Sequence, residues 1–270
     1  MPATDSPLRH PTALIGPEVV LAPDVRVGAF AILDGAIALG PGCSVGPNAH
    51  LLGTVVAGAN NAFHTGCVIG DTPQHSAYAG EPTRVEIGEG NVFREHVTVH
   101  RGMPTTGTTI IGNKNLFMVG SHVAHDCRVA NGCFFANCAV IGGHAEVADG
   151  AFLSGNTAVH QFCRVGRLAM LSGTSAVSQD LPPFWIVQEV NVVHGVNVVG
   201  MRRAGIPNPE IQAVRRAFKL INRSGLTISA ACAQLEAEDG AFAAVRELIA
   251  FIRGSKRGIV TGRAARGADD

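Results

Sequence analysis

The chain has 270 residues, enough for one large domain or two modest ones. Its 21 Lys and Arg balance 21 Asp and Glu, which argues against a general binder of nucleic acid or of membrane surfaces. The balance conceals a split, because from Met201 onward twelve basic residues face seven acidic ones, whereas nine basic face fourteen acidic before it.

Residues 1–9 are polar and read as a flexible N-terminus, with the first regular structure starting near His10. From Ile15 a large aliphatic or Phe then recurs every sixth residue, through Leu21, Val27, Leu33 and onward to Phe63 and Ile69, with only Ala57 small. The series resumes at Ile87, Phe93 and Val99, and runs unbroken from Ile111 to Val177. Neither a helix nor a single strand has this period. It marks hexapeptide repeats, in which short parallel strands wind into a prism and inward aliphatics stack from coil to coil. Four residues after the aliphatic the sequence is nearly always small or modest in size, as suits a cramped corner, for example at Ala49, Cys67, Ser121, Cys127 and Cys163. With three strands per turn, residues eighteen apart lie above one another at about the strand spacing of ~4.8 Å.

Excursions at about 71–86 and 101–110 interrupt the hexads without changing their register, so each is a loop thrown outward between intact coils. Loops on a rigid scaffold commonly carry recognition. The pattern lapses at Asp180-Leu181-Pro182-Pro183, and residues 184–200 read as an extended connection closing a solenoid of residues 10–200. Residues 201–258 form a helical domain. In it Asn208 is expected to cap a helix with Pro209 in the first turn, and apolar stripes run through Ile211, Val214, Phe218 and Ile221, then Ile228, Ala231, Cys232 and Leu235, then Phe242, Val245, Ile249 and Ile252. Residues 259–270 read as a flexible tail. The expected fold is an all-β solenoid followed by a small α-helical C-terminal domain.

Five of the seven cysteines fall on the small inward position and read as buried fillers in a reducing compartment. There is no CxxC, no basic-then-apolar leader, and no integral membrane segment of ~20 apolar residues. A cytoplasmic protein is expected.

Four histidines, His122, His125, His144 and His160, fall within thirty-nine residues. The eighteen-residue rule stacks His125, Gly143 and Gln161 in one column, places Asp126 beneath His144, and groups Ala124, Gly142 and His160. A neutral imidazole beside a carboxylate suits a general base. The uncovered amide of Gly143 suits an oxyanion, and Gln161 supplies a hydrogen-bonding anchor. No GxSxG, Walker-type loop or HExxH is present, and neither cofactor nor metal is called for.

The strings Tyr78-Ala-Gly-Glu-Pro-Thr-Arg-Val-Glu-Ile-Gly88, His100-Arg-Gly102, His122-Val-Ala-His-Asp-Cys127, Ala158-Val-His-Gln-Phe-Cys163, Gln179-Asp-Leu-Pro-Pro183, Gly195-Val-Asn197 and Arg202-Arg203 resemble the UDP-N-acetylglucosamine O-acyltransferases that open lipid A synthesis. The resemblance spans His10 to about Gly258. It implies a left-handed parallel β-helix, a homotrimer with sites between subunits, and metal-free transfer of a 3-hydroxyacyl chain from acyl carrier protein to the 3-hydroxyl of a nucleotide sugar. It further implies that His125 is the general base, Asp126 its orienting carboxylate and Gly143 the oxyanion donor. Gln74, His122, His144, His160, Gln161, Asn197 and Arg203 would line the substrate site, and Met170 and Gly173 the end of an acyl channel. A basic helical face with Arg215, Arg216, Lys219 and Arg223 would meet the acidic carrier protein.

The chain departs from that pattern at His75 and Ala77, where the family has an Asp and a Lys. It departs again at Glu189-Val190-Asn191, one residue shorter than the family's segment, and at Val199, where an acidic residue is expected. These positions leave open a different nucleotide amino-sugar as acceptor. A zinc hydratase of the γ-carbonic anhydrase type, using His122, His125 and His144, and a catalytically silent solenoid are the readings of other classes.

Overall fold

The computed structural model describes residues 8–262; the expected looseness of residues 1–7 and 263–270 lies outside the described residues. Short parallel strands from Leu14–Ile15 to Trp185–Gln188 form three sheets, and strands three places apart pair, until at the end Met170–Leu171 pairs with Trp185–Gln188, two places on. Leu116↔Phe134 and His122↔Val140 are such pairs, so the eighteen-residue rule holds in the backbone. The excursions lengthen the step without shifting the face: Ile69 pairs with Val99 across the first, and Ile87 with Ile111 across the second. Both are narrower than the sequence suggests, because Arg84–Ile87 and Thr108–Ile111 are already strands.

The core is a column. Phe63, Phe93, Phe117 and Phe135 stack along it with centroids 5.0, 4.9 and 4.8 Å apart, and all four are buried. Each such side chain contributes about 1.5–3 kcal/mol by leaving water. One corner carries a ladder absent from the hexad reading. Asn61, Asn91 and Asn115 are buried; the Asn91 amides bond to Asn61 Oδ1, the backbone N–H of Asn115 donates to Asn91 Oδ1, and the carboxamide NH₂ groups donate to corner carbonyls. The ladder satisfies polar groups that burial would otherwise strand.

The three outer faces differ. The column Arg128, Glu146, Arg164 makes one face charged, whereas Leu116, Phe134, Phe152, Met170 and Ile186 make another apolar and only half-buried. The remaining face carries His122, Val140 and Ala158.

At both ends the chain is more ordered than its composition suggests. Val27 N–H donates to Leu8 O and Arg9 bridges Val27, so coiling begins before His10. After Val177 the coil continues, because Leu181 still bridges Val165 and Val187 pairs with Leu171. The segment taken as an extended connection is an antiparallel hairpin of Trp185–Gln188 with Val192–Val196, in whose turn Glu189 and Asn191 have left-handed backbone. It is followed by helix α1, Val198–Arg203, which straddles the expected domain boundary at 200.

Helices α2 (Asn208–Arg223), α3 (Ile228–Asp239) and α4 (Ala243–Arg253) pack their expected stripes inward, except that Ile228, the first residue of α3, is exposed and Phe242, at the N-cap of α4, is only partly buried. Asn208 is inside α2 rather than its cap: Pro207 holds the N-cap position, and no side chain caps the helix. The chain beyond α4 returns to the solenoid instead of fraying at 259. Ile259 and Val260 are buried, Asp180 exchanges backbone hydrogen bonds with Gly258 and Val260, and the Asp180 carboxylate accepts from Arg164 and Ser255.

Candidate active site

A cleft of about 420 Å³ opens over the face carrying His122, where the corner after each strand bears the predicted column. His125, Gly143 and Gln161 line it together with Gln74, His122 and His160. Glycine at 143 is a steric requirement, because a Cβ there would lie 2.6 Å from His125 Cε1 and 2.7 Å from Nε2. The imidazole therefore lies over the bare backbone of the next coil. A Cβ at Gly142 would similarly meet the Gln161 backbone N at 2.8 Å.

His125 Nδ1 donates to Asp126 Oδ2 at 2.5 Å, which leaves Nε2 as the free nitrogen. Asp126 takes a left-handed backbone, φ 62°, which Asp tolerates better than most residues, and its side chain is fully buried. A buried carboxylate must be hydrogen-bonded to remain charged. Met103 N–H reaches both oxygens at 3.0 and 3.1 Å, and the Thr106 hydroxyl donates to Oδ1. The second excursion thus supplies the partners that hold the carboxylate behind His125. Gly102 permits this approach, since a Cβ there would lie 2.4 Å from Thr108 N.

His144 stands on Asp126, with Nε2 3.5 Å from Oδ2, packs edge-to-face with His125, and stacks parallel to the exposed ring of Phe162 at 4.5 Å. Burial lowers the pKa of His144 and of His100 and takes His122 down to about 4. These rings are therefore neutral at physiological pH and add dipoles, not positive charge, to the cleft.

His125, Asp126 and His144 bring one ligand atom each within 4.8 Å of one another, a donor set for a transition metal. The 2.5 Å separation of His125 and Asp126 is a hydrogen-bond length, so an ion between them would have to displace the proton and spread the pair. His122, which the hydratase reading would recruit, is not in that group and turns its Nδ1 to Thr98 Oγ1 at 2.7 Å.

The remaining predicted residues lie elsewhere on the protomer. Met170, Asn197 and Arg203 line a second cleft of about 660 Å³ against the apolar face, together with Phe152 and Ile186. It shares no residue with the first. Asn197 is buried and uses its carboxamide on the chain itself, accepting from Gly200 N–H as the α1 cap and donating to Leu168 O. Gly173 lines neither cleft and is exposed; a Cβ there would meet only Gly155 O, at 3.7 Å.

Two further histidines stand at this site, one in the cleft lining and one against His125, in places the repeat reading does not assign. His100 is buried in its floor, with Nδ1 donating to Thr72 O at 2.6 Å. The stacking rule finds it once the second excursion is counted: Val99 pairs with Val123, so His100 falls beneath Ala124, Gly142 and His160. His75, in the first excursion, sets its ring edge-to-face with His125 at 5.5 Å, and no repeat register reaches it.

Comparison with known proteins agrees with this geometry. A family model described as UDP N-acetylglucosamine O-acyltransferase, domain 2, matches residues 180–260, and a bacterial transferase hexapeptide model of six repeats matches residues 108–143. The acyl-[acyl-carrier-protein]–UDP-N-acetylglucosamine O-acyltransferase of Syntrophobacter fumaroxidans is 39% identical over 254 residues, covering 93% of this chain and 98% of that protein. The crystal structure of a UDP-N-acetylglucosamine acyltransferase from Bacteroides fragilis superposes with a TM-score of 0.90 at 38% identity, over 93% of this chain and 98% of that one. The Arabidopsis enzyme superposes at 0.81 with 30% identity, over 94% and 100%. The coil is left-handed, as the resemblance implied. By the near full-length match as much as by the fold, the chain belongs to the UDP-N-acetylglucosamine O-acyltransferase family of hexapeptide-repeat transferases.

Proposed function

We propose that the protein transfers a 3-hydroxyacyl chain from the thioester of acyl carrier protein to the 3-hydroxyl of UDP-N-acetylglucosamine. The observation that carries this reading is the hydrogen-bonded pair of His125 and Asp126 set against the bare Gly143 amide at the wall of one cleft. The free Nε2 of His125 takes the proton from the sugar hydroxyl as its oxygen attacks the thioester carbonyl. The imidazolium so formed is stabilised by Asp126, whose other oxygen is held by Thr106 and Met103. Gly143 N–H faces the developing oxyanion, and Gln161 and His160 anchor the sugar. The proton on His125 then leaves with the thiol. A general base of this kind is worth about 10²- to 10⁴-fold.

The lining of the cleft includes no carboxylate, so an ammonium-bearing acceptor would have no counter-charge there.

The two clefts on separate faces support a homotrimer in which the His125 face of one protomer meets the Phe152 and Met170 face of the next. An apolar, half-buried face beside a charged one is what such an interface requires. The acyl chain then runs along Phe152 and Met170 towards Gly173, and Arg203 meets the nucleotide. On α2, Arg215, Lys219 and Arg223 are exposed and Arg216 pairs with Asp239. That basic face suits an acidic carrier protein.

His125→Ala tests the assignment. Turnover with acyl carrier protein thioester and UDP-N-acetylglucosamine is expected to fall at least about 10²-fold while circular dichroism and oligomeric state are kept. Near-normal turnover would remove His125 from the mechanism.

A further inference from the structure

His75 is an exposed residue of the first excursion whose ring nonetheless has a defined seat. Its Nδ1 accepts a hydrogen bond from Ala77 N–H at 3.2 Å, its backbone N–H donates to Pro73 O, and Tyr78 N–H donates to its carbonyl. A backbone N–H can only donate, so Nδ1 carries the lone pair and the neutral ring bears its proton on Nε2. The ring stands at 89° to His125 with centroids 5.5 Å apart. His125 also meets the ring of His144, at 89° with centroids 5.4 Å apart.

Two imidazoles therefore pack against the His125 ring, one from the next coil and one from the excursion, while Asp126 holds its Nδ1. The coil side is rigid, because Phe162 stacks on His144 and the strands are paired. The excursion side depends on one hydrogen bond that exists only while His75 is neutral. Protonation would set an N–H of the ring against the N–H of Ala77, and the ring would have to leave its seat. The titratable groups around the pair are Asp126 and His144 from the coils and His100 and His122 from the cleft floor.

Building on the assignment of His125 as base, we propose that His75 is a positioning residue for it: the neutral imidazole, locked by Ala77 N–H, holds the His125 ring in the plane from which Nε2 meets the acceptor hydroxyl. Lost orientation costs rate rather than affinity.

Three variants separate this from a plain loop role. His75→Asn keeps an acceptor for Ala77 N–H, since Asn side chains bond the backbone two residues on, but lacks the ring. His75→Ala lacks both, and His75→Phe keeps a ring that neither titrates nor accepts. In His75→Asn, kcat is expected to fall about tenfold with KM for acyl carrier protein thioester unchanged. His75→Ala and His75→Phe are expected to lose as much, since neither has an imidazole held by Ala77 N–H. In ¹⁵N-labelled protein, His75 is expected to show the Nε2–H tautomer. Full kcat in His75→Asn would overturn the proposal, leaving His75 a turn residue, and so would the Nδ1–H tautomer. An unaltered enzyme without transferase activity would instead overturn the function proposed above, and this role with it.

Discussion

At position 143 the imidazole of His125 occupies the volume that any side chain would take, so the smallest substitution there acts on the base directly. Gly143→Ala puts a methyl 2.6 to 2.7 Å from that ring, a distance that forces it to move. The cleft wall is surface, so the coil itself tolerates the change. The expected result is a loss of about 10²-fold in kcat with an unchanged circular dichroism spectrum; steady-state kinetics on the purified variant check it. The column of His125, Gly143 and Gln161 was legible because eighteen-residue stacking follows from the repeat alone. The support of Asp126 by Met103 and Thr106 was not, because both stand in an excursion whose path no period describes. The contact of His75 with His125 was not legible for the same reason, although the sequence marks His75 as a departure from the family pattern. Asn197 is a different case: the motif that singled it out cannot show that its carboxamide closes on Leu168 and Gly200.

A strand of two residues cannot stand alone, so each element of this solenoid is stable only through the coils above and below it. The phenylalanine column makes that dependence measurable. Phe117 is buried between Phe93 and Phe135 at 4.9 and 4.8 Å, and close strand pairing on either side prevents the coil from collapsing on a void. Phe117→Ala is expected to cost about 3–5 kcal/mol, read as a shift of the urea unfolding midpoint at unchanged slope. Hexads announce such positions because an inward aliphatic is demanded at every turn. They do not announce Asn61, Asn91 and Asn115, which are polar yet buried because each bonds the next coil, or the Ile259–Val260 segment, whose docking depends on the Asp180 clasp. Helix α1 is six residues long, shorter than any window in which an apolar period becomes visible. Interior periodicity is thus readable, whereas closure at the ends is a matter of specific long-range bonds.

In a single protomer the base and the second cleft lie on different faces, and no rotation within one rigid coil can bring them together. If the reaction needs both, each site must take His125 from one protomer and Arg203 with the Met170 face from its neighbour, as the apolar character of that face suggests. This arrangement has a consequence that a self-contained site would not share. His125→Ala and Arg203→Ala are each expected to be inactive as homotrimers. Yet a mixed trimer contains sites in which an intact His125 from one variant faces an intact Arg203 from the other. Random mixing in a cyclic trimer makes about a quarter of the sites intact, so co-expression of the two variants is expected to recover about a quarter of the activity. Complementation depends on exchange between chains, which is why co-expression rather than mixing of preformed trimers is the decisive measurement. If each protomer held a complete site, both mutations would act in different chains, every site would carry one defect, and co-expressed protein would stay as inactive as its parents. Recovery also excludes a monomeric enzyme, since chains that never touch cannot repair one another.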